Sequence, residues 1–302
     1  MKLTLSICTH NHLAALKQTL AGLHDLHSPE GAWELLIIDN ASSDGTGTWL
    51  AQGGWQRADI DCRVVQENQL GVAHARNRAL TEAKGEYVVF LDDDETPETD
   101  WLVNLEQVIN IRQPAAIGGR IRAYLPSGRP AWLTDELLGF LGELDYGPAE
   151  RMLTETSTPI FTGNAVFHRQ TVLDVGGFDS NLGRRGNIQS GGEDTDLYRR
   201  LVNLKKSVCW APQAVIYHRI ESWKLRRTYF LQLHYRQGRM EGARNRGYHS
   251  RVPPRYIVPQ LMRAYARALA LRIKQGSAHS LRQEMNAAYF TGYVVGWVKD
   301  TA

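Results

Sequence analysis

The sequence predicts an α/β fold: a mostly parallel sheet flanked by helices, followed by a helical C-terminal extension. Three observations predict it. Short apolar runs of strand length alternate with segments of helical period through residue 112. Those runs are continuously apolar rather than alternating, as in strands covered on both faces. From Trp223 onward the pattern is helical only.

Each element has its own signal. Leu3–Cys8 reads as the first strand, and Leu13, Leu16, Leu20 and Leu23 then recur at helical spacing. Leu35–Ile38 is a second strand, followed by a turn and a short helix around Thr46–Ala51. Cys62–Gln66 is a third strand, Val72–Ala83 a helix ended by Gly85, and Tyr87–Leu91 a fourth strand. Leu102, Leu105 and Ile109 mark a helix beginning near Glu98. Four such units imply a parallel sheet with right-handed crossovers. Ile117–Leu125 reads as strand, 126–158 as a long ordered loop with short helices, and 159–168 as strand. Asp194–Leu204 is a helix and Ser207–His218 a strand. Helices follow over 223–246, 256–275 and 280–298, with Pro253-Pro254 between the first two. The expected division is 1–218, in halves 1–112 and 113–218, and an extension over 219–302.

Of the 302 residues, 43% are apolar and 22% charged, which excludes a disordered chain. No apolar stretch approaches the ~18 residues of a membrane span. The chain opens directly on a strand, so no signal peptide is expected. Cys8, Cys62 and Cys209 stand singly and read as reduced core residues of a cytoplasmic protein. Charge is split. Residues 1–218 carry 19 Lys/Arg against 28 Asp/Glu, and residues 219–302 carry 16 against 4. An acidic body with a basic appendage suggests an anionic partner for the appendage.

Phe90–Glu95 reads Phe-Leu-Asp-Asp-Asp-Glu, three carboxylates at the mouth of a buried strand. Like charges there are costly unless a cation neutralises them. A divalent-metal site fits, because open α/β sheets bind ligands at the carboxyl ends of their strands. A solvated loop that caps the next helix fits too. The first two strands end in Thr9-His10-Asn11-His12 and in Asp39-Asn40-Ala41-Ser42-Ser43-Asp44-Gly45-Thr46. Such side chains hydrogen-bond a base and ribose, or cap helices. No dinucleotide fingerprint or phosphate-binding P-loop is present. Gly71 permits a tight turn into a helix, and Arg76 one turn later faces either a diphosphate, the acidic cluster or solvent.

Taken together, these turns resemble the family 2 glycosyltransferases of GT-A fold. The matching order is Thr9-x-Asn11, Asp39-Asn40-x-Ser42-x-Asp44-Gly45-Thr46, Asn68-x-x-Gly71-x-x-x-x-Arg76-Asn77 and the Asp triplet. It continues in Phe161–Phe167, Gly176–Asp179 and Gly192–Leu197. The resemblance implies a catalytic domain over 1–218, with a nucleotide-binding and an acceptor half. It implies that Asp39 bonds the nucleobase in a pocket shaped by Thr9 and Asn11. Asp44 and Asp93 reach the base or ribose side, and Asn68, Arg76 and Asn164 join the donor site. Asp92 and Asp94 hold Mn2+ or Mg2+, and His218 completes the metal shell or is structural; a histidine ligand favours Mn2+. Asp194 is the general base of an inverting hexosyl transfer, and Glu193 positions the acceptor. The glycine-rich stretch 183–192 reads as a lid, with Arg184 or Arg185 meeting the phosphates. Trp132 and Tyr146 either stack on an acceptor sugar or pack into the core.

The implied donor is a nucleoside-diphosphate sugar, a UDP-sugar by default. The implied acceptor is a glycan or polyprenyl-linked hydroxyl, in cell-surface polysaccharide assembly. For the basic tail, residues 219–282 fit a peripheral anionic membrane surface at the inner face. They equally fit docking on the acidic body or on a second subunit of a homo-oligomer. The transferase motifs disfavour nucleic acid. Two rivals stand beside the transferase: a sugar-phosphate nucleotidyltransferase and a non-catalytic nucleotide- or glycan-binding module.

Overall fold

The computed structural model describes residues 1–53, 55–184, 191–248 and 254–299. Arg185, the core of the expected lid and Pro253 lie outside the described residues. The chain forms two compact units, Met1–Ala123 with Gly142–Arg219, and Tyr124–Leu141 with Ile220–Ala302.

The first unit opens with β1 (Leu3–Thr9), α1 (Leu13–Gly22), β2 (Trp33–Asp39), α2 (Thr46–Ala51) and β3 (Asp61–Gln66). It continues with α3 (Val72–Glu82), β4 (Tyr87–Asp92), β5 (Glu95–Pro97), α4 (Trp101–Arg112) and β6 (Ala116–Tyr124). The chain then runs through α5 (Asp135–Leu138) of the second unit before returning in β7 (Arg151–Met152) and β8 (Asn164–His168). Finally come α6 (Arg169–Asp174), α7 (Glu193–Asn203) and β9 (Val208–Arg219). Among the described residues the strands form one nine-stranded sheet in the order β3-β2-β1-β4-β8-β6-β9-β5, with β7 on β9.

The apolar runs account for its centre. β1 pairs in parallel with β2 and β4, and β2 with β3. Leu5, Ile7, Leu36, Ile37, Val88 and Val89 are wholly buried there. Glu34 is buried in the same layer, and its carboxylate is met by Arg63 at 2.9 Å, Thr4 Oγ1 at 2.8 Å and the Lys84 N–H at 2.7 Å. A charge in a covered sheet requires such partners. β8 runs antiparallel to β4, so the sheet is mixed from that point. The parallel registers set Thr9 beside Asp39, Asp39 beside Gln66 and Cys8 beside Asp92. The polar turns after β1, β2 and β4 therefore leave the sheet along one edge.

Two short strands differ from the sequence reading. β5 follows the acidic triplet directly and pairs with β9, so the next helix starts at Trp101 rather than near Glu98. β7 lies inside the stretch read as loop. Both are too short to show a period. Tyr146 packs edge-on against Trp210, at 4.9 Å between ring centroids, and its hydroxyl bonds the Thr158 carbonyl. In the second unit Trp132 packs edge-on against Phe230 at 5.5 Å.

That second unit is built on α8 (Arg227–Tyr248), α9 (Ile257–Gln275) and α10 (Ser277–Lys299). Gly238 and Gly242 of α8 face Gly292 and Gly296 of α10. A Cβ added at Gly238 or Gly242 would stand 2.0 or 2.1 Å from the carbonyl oxygen of Tyr289 or Tyr293. The reciprocal contacts, of Gly292 with Tyr235 and Gly296 with Arg239, are 2.0 Å. Paired small residues four apart let two helix backbones touch.

Gly242→Val is expected to destabilise the second unit by about 1–3 kcal/mol through overpacking, read by urea denaturation. Gly139→Ala is the contrast: Gly139 has ordinary helical dihedrals and open space around its Cβ position. Its substitution is expected to leave stability within about 0.5 kcal/mol.

Candidate functional site

The site is the carboxyl edge of β1, β2 and β4 together with the start of α7. Asp39 ends β2 and is almost fully buried. Its carboxylate accepts from the Ser42 N–H at 3.2 Å and from Gln66 Nε2 at 3.0 Å. Beside it, the Asn40 amide clamps the next turn. It donates to the carbonyls of Glu67 and Gln69 and accepts the Gly71 N–H at 2.8 Å. Gly71 has φ 145°, a conformation that side-chain-bearing residues rarely adopt, and it starts α3.

Asn11 links the first two turns. Its Oδ1 accepts the Ser43 N–H at 2.6 Å, and its own N–H donates to Ser42 Oγ at 3.0 Å. Asp44 receives the N–H and hydroxyl of Thr46 and the Leu13 N–H, fastening α2 to the start of α1. Burial works to raise its pKa, but those hydrogen bonds outweigh it and hold the carboxyl below its ordinary value. Asn68 is exposed beside this pocket.

The three aspartates after β4 take different environments. Asp93 turns inward, accepting from Thr9 Oγ1 at 2.6 Å and pairing with His12 Nδ1 at 2.8 Å. Burial raises its pKa, and the neighbouring Asp94 adds to that, while His12 and Thr9 oppose it. Asp94 Oδ2 lies 3.4 Å from His218 Nε2, brought there by the β5–β9 pairing that sets Glu95 opposite His218. Asp92 is half-exposed and lies 3.3 Å from Arg76 Nη2. Behind the loop, the buried Glu95 accepts the Asp92 N–H at 3.0 Å. Burial, then the charges of Asp92 and Asp94, push its pKa well above the ordinary carboxylate value. Burial likewise pushes the neighbouring Cys8 thiol up to about 12, which removes it as a nucleophile.

Arg76 joins the two halves of the site. Its guanidinium is buried, 3.3 Å from Asp92 and 2.7 Å from Glu193, and lies over the Phe178 ring. Burial opposes its charge, but Asp92, Glu193 and Asp194 more than compensate and hold it protonated. Gly192, with φ 110°, starts α7, and Asp194 stands half-exposed in the first turn. Acidic side chains are favoured at a helix N-terminus. Asn77 fixes the Gly176–Asp179 turn by taking the Phe178 N–H and donating to its carbonyl, both at 2.8 Å. Arg184 is exposed, and its carbonyl receives the Val72 N–H at 3.0 Å.

So the edge gathers Thr9, Asn11, Asp39, Asp44, Asp92, Asp93, Asp94, His218, Arg76, Glu193 and Asp194. Asn164 is spent elsewhere. Its amide accepts from Trp101 Nε1 and donates to the carbonyls of Arg120 and Ala214, all within 2.9 Å, so it braces the core beneath the site. Sequence reasoning gave no individual role to His12, Asn40 or Glu95, although His12 and Asn40 stand in the turns it singled out and Glu95 is the fourth acid of its run. Among the described residues, no three His, Cys, Asp or Glu side chains already form a metal cage. Asp94 and His218 nonetheless present an oxygen and an imidazole nitrogen side by side, a donor pair suited to Mn2+.

The family model for glycosyl transferase family 2 matches residues 4–176. The chain belongs to glycosyltransferase family 2. Across 245 residues it is 25% identical to succinoglycan biosynthesis protein ExoM of Rhizobium meliloti, covering 80% of this chain and 74% of that one. A glucosyl-dolichyl phosphate glucuronosyltransferase of Haloferax volcanii is 30% identical over 131 residues, 42% of this chain and 41% of its own length. In fold, the chain is similar to the mannosyltransferase PcManGT of Pyrobaculum calidifontis, solved with GDP-Man and Mn2+. The TM-score is 0.64 at 20% identity, over 100% of this chain and 88% of that one. The sheet and its flanking helices are thus those of a GT-A glycosyltransferase.

Arg76→Met is expected to destabilise the first unit by about 3–5 kcal/mol, because it leaves Glu193 buried without its partner. Arg76→Lys recovers only part of the loss, since an ammonium lacks the fork that reaches two carboxylates. Urea denaturation of the two variants measures both.

Proposed function

We propose that the enzyme transfers a hexose, with inversion, from a nucleoside-diphosphate sugar to a hydroxyl of a glycan or polyprenyl-linked acceptor. The observation that carries this reading is Arg76. One guanidinium ties the acidic loop after β4 to the helix that presents Asp194. A donor-binding carboxylate cluster and a candidate base are thereby fixed on one edge.

In this reading Asp39, fixed by Gln66 and Ser42, accepts from the nucleobase, and the Thr9–Asn11 turn closes that pocket. Asp94, His218 and Asp92 hold Mn2+ or Mg2+, which when bound supplies positive charge against the leaving diphosphate. Asp194 takes the proton of the acceptor hydroxyl. The acceptor oxygen then bonds the anomeric carbon as the bond to the diphosphate breaks, in one in-line step. Asp93, held by His12 and Thr9, serves to shape the base and ribose side. Arg76 and Asn164 act as positioning residues. Their polar atoms already serve the protein.

Cell-surface polysaccharide assembly is supported by the similarity to a succinoglycan biosynthesis protein. A polyprenyl-linked acceptor places the reaction at the inner face of a membrane. A UDP-sugar is the starting donor.

Thermal shift against UDP, GDP, dTDP and CDP, with and without Mn2+, tests the donor site. One nucleotide is expected to stabilise the protein selectively and only with Mn2+, and Asp94→Ala should abolish the shift. A protein that no nucleotide stabilises would return the binding-module rival. Asp194→Asn is expected to lower turnover about 10²–10⁴-fold while keeping that shift. Release of pyrophosphate instead of nucleoside diphosphate would convert the reading to a nucleotidyltransferase.

A further inference from the structure

Helix α9 has three faces, not two. Ile257, Ala264 and Ala268 are buried, with Leu261 and Leu271 half-buried beside them. A second row, Val258, Met262, Tyr265, Leu269 and Ile273, repeats at spacings of four, three, four and four, yet every member is exposed. Met262 is 67%, Leu269 61% and Ile273 76% exposed. A third row carries Arg263, Arg267 and Lys274, all exposed. At about 100° per residue, the three rows lie roughly a third of a turn apart.

An ordinary amphipathic helix turns its second face to water with polar side chains. Here that face is an apolar stripe along four turns, with the Tyr265 hydroxyl bonded to Thr291 of α10 at 3.0 Å, and large exposed apolar patches mark interaction surfaces. Charge decides the partner. Residues 242–283 contain nine Lys/Arg and no Asp or Glu. Arg272 reaches Glu284 at 3.6 Å, a carboxylate from outside that stretch. A second copy packed through the same helix face would bring two such basic surfaces together, whereas an anionic surface would neutralise one.

We infer that α9 is a membrane-docking helix that lies in the plane of an anionic lipid surface. The apolar row enters the headgroup–acyl boundary, and the basic row extends its charges along the rim to lipid phosphates. Among the described residues, no helix is long and apolar enough to cross a membrane, so the contact is peripheral. The inference rests on this helix alone and holds whichever sugar is transferred.

The test is flotation of the full-length protein with vesicles of phosphatidylcholine, with and without about a third phosphatidylglycerol. The protein is expected to float with the anionic vesicles at low salt and to detach at high salt. The pair Met262→Asp and Leu269→Asp should weaken that binding about tenfold or more, and so should Arg263→Glu with Arg267→Glu. Both pairs sit on exposed positions, so circular dichroism and nucleotide-dependent thermal shift should stay as in the parent. Equal flotation with neutral vesicles would overturn the inference, as would no flotation at low salt. Wild-type binding by the aspartate variant would overturn it too. Self-association lost in the aspartate variant, without any vesicle binding, would assign the stripe to a second copy instead.

Discussion

The ion pairs of Arg76 are the constraint on which the site depends. A buried guanidinium between Asp92 and Glu193 fixes two segments 101 residues apart in sequence. Removing Arg76 would strand the buried Glu193 in a medium that does not solvate it, whereas the half-exposed Asp92 would turn to water. The acidic loop and the N-terminus of α7 are thus set by one contact, and the half-exposed Asp94 and Asp194 are carried on the elements it fixes.

The remaining carboxylates divide the work according to environment. Asp44 is drawn down by hydrogen bonds and serves as a double helix cap. Glu95 has its pKa pushed up by burial and props the loop from behind by accepting the Asp92 N–H. Six carboxylates at the ends of β2 and β4, Asp39, Asp44, Asp92, Asp93, Asp94 and Glu95, would repel one another in water-poor surroundings. Tying one to two helix ends, one to an arginine and one to Thr9 and His12 relieves that repulsion and leaves Asp94 beside His218.

Much of this was legible in the sequence, and the exceptions share one cause. The parallel core announced itself because each strand is a continuous apolar run between turn residues. The polar turns after β1 and β2 were legible as turns because their side chains meet neighbours within the same turn or the adjacent one. Arg76 was readable as facing a diphosphate, the acidic cluster or solvent; the structure sets it against Asp92 of that cluster, while Glu193, 117 positions away, was not foreseen as its partner. Asn164 looked like a donor contact for the same reason: Trp101, Arg120 and Ala214 consume its amide from 44 to 63 positions away. β5 was hidden because three residues carry no period, and it alone explains why His218 meets Asp94.

The crossing of α8 and α10 has a consequence for how this enzyme diversifies. Four glycines bring backbone against backbone there, so the contact is indifferent to most surrounding side chains but closed to change at those four positions. Helix α9 is spliced between the two partners and is not part of that crossing. Its buried row is held in place, with Ile257 packed among Tyr293 and Trp297 of α10, while Met262, Leu269 and Ile273 are exposed and free of that packing. The unit is therefore a fixed clasp with an exchangeable outer face. A lineage that moved this transferase to a different cellular surface would need to rewrite that one face, and neither the clasp nor the Arg76 junction would have to be renegotiated.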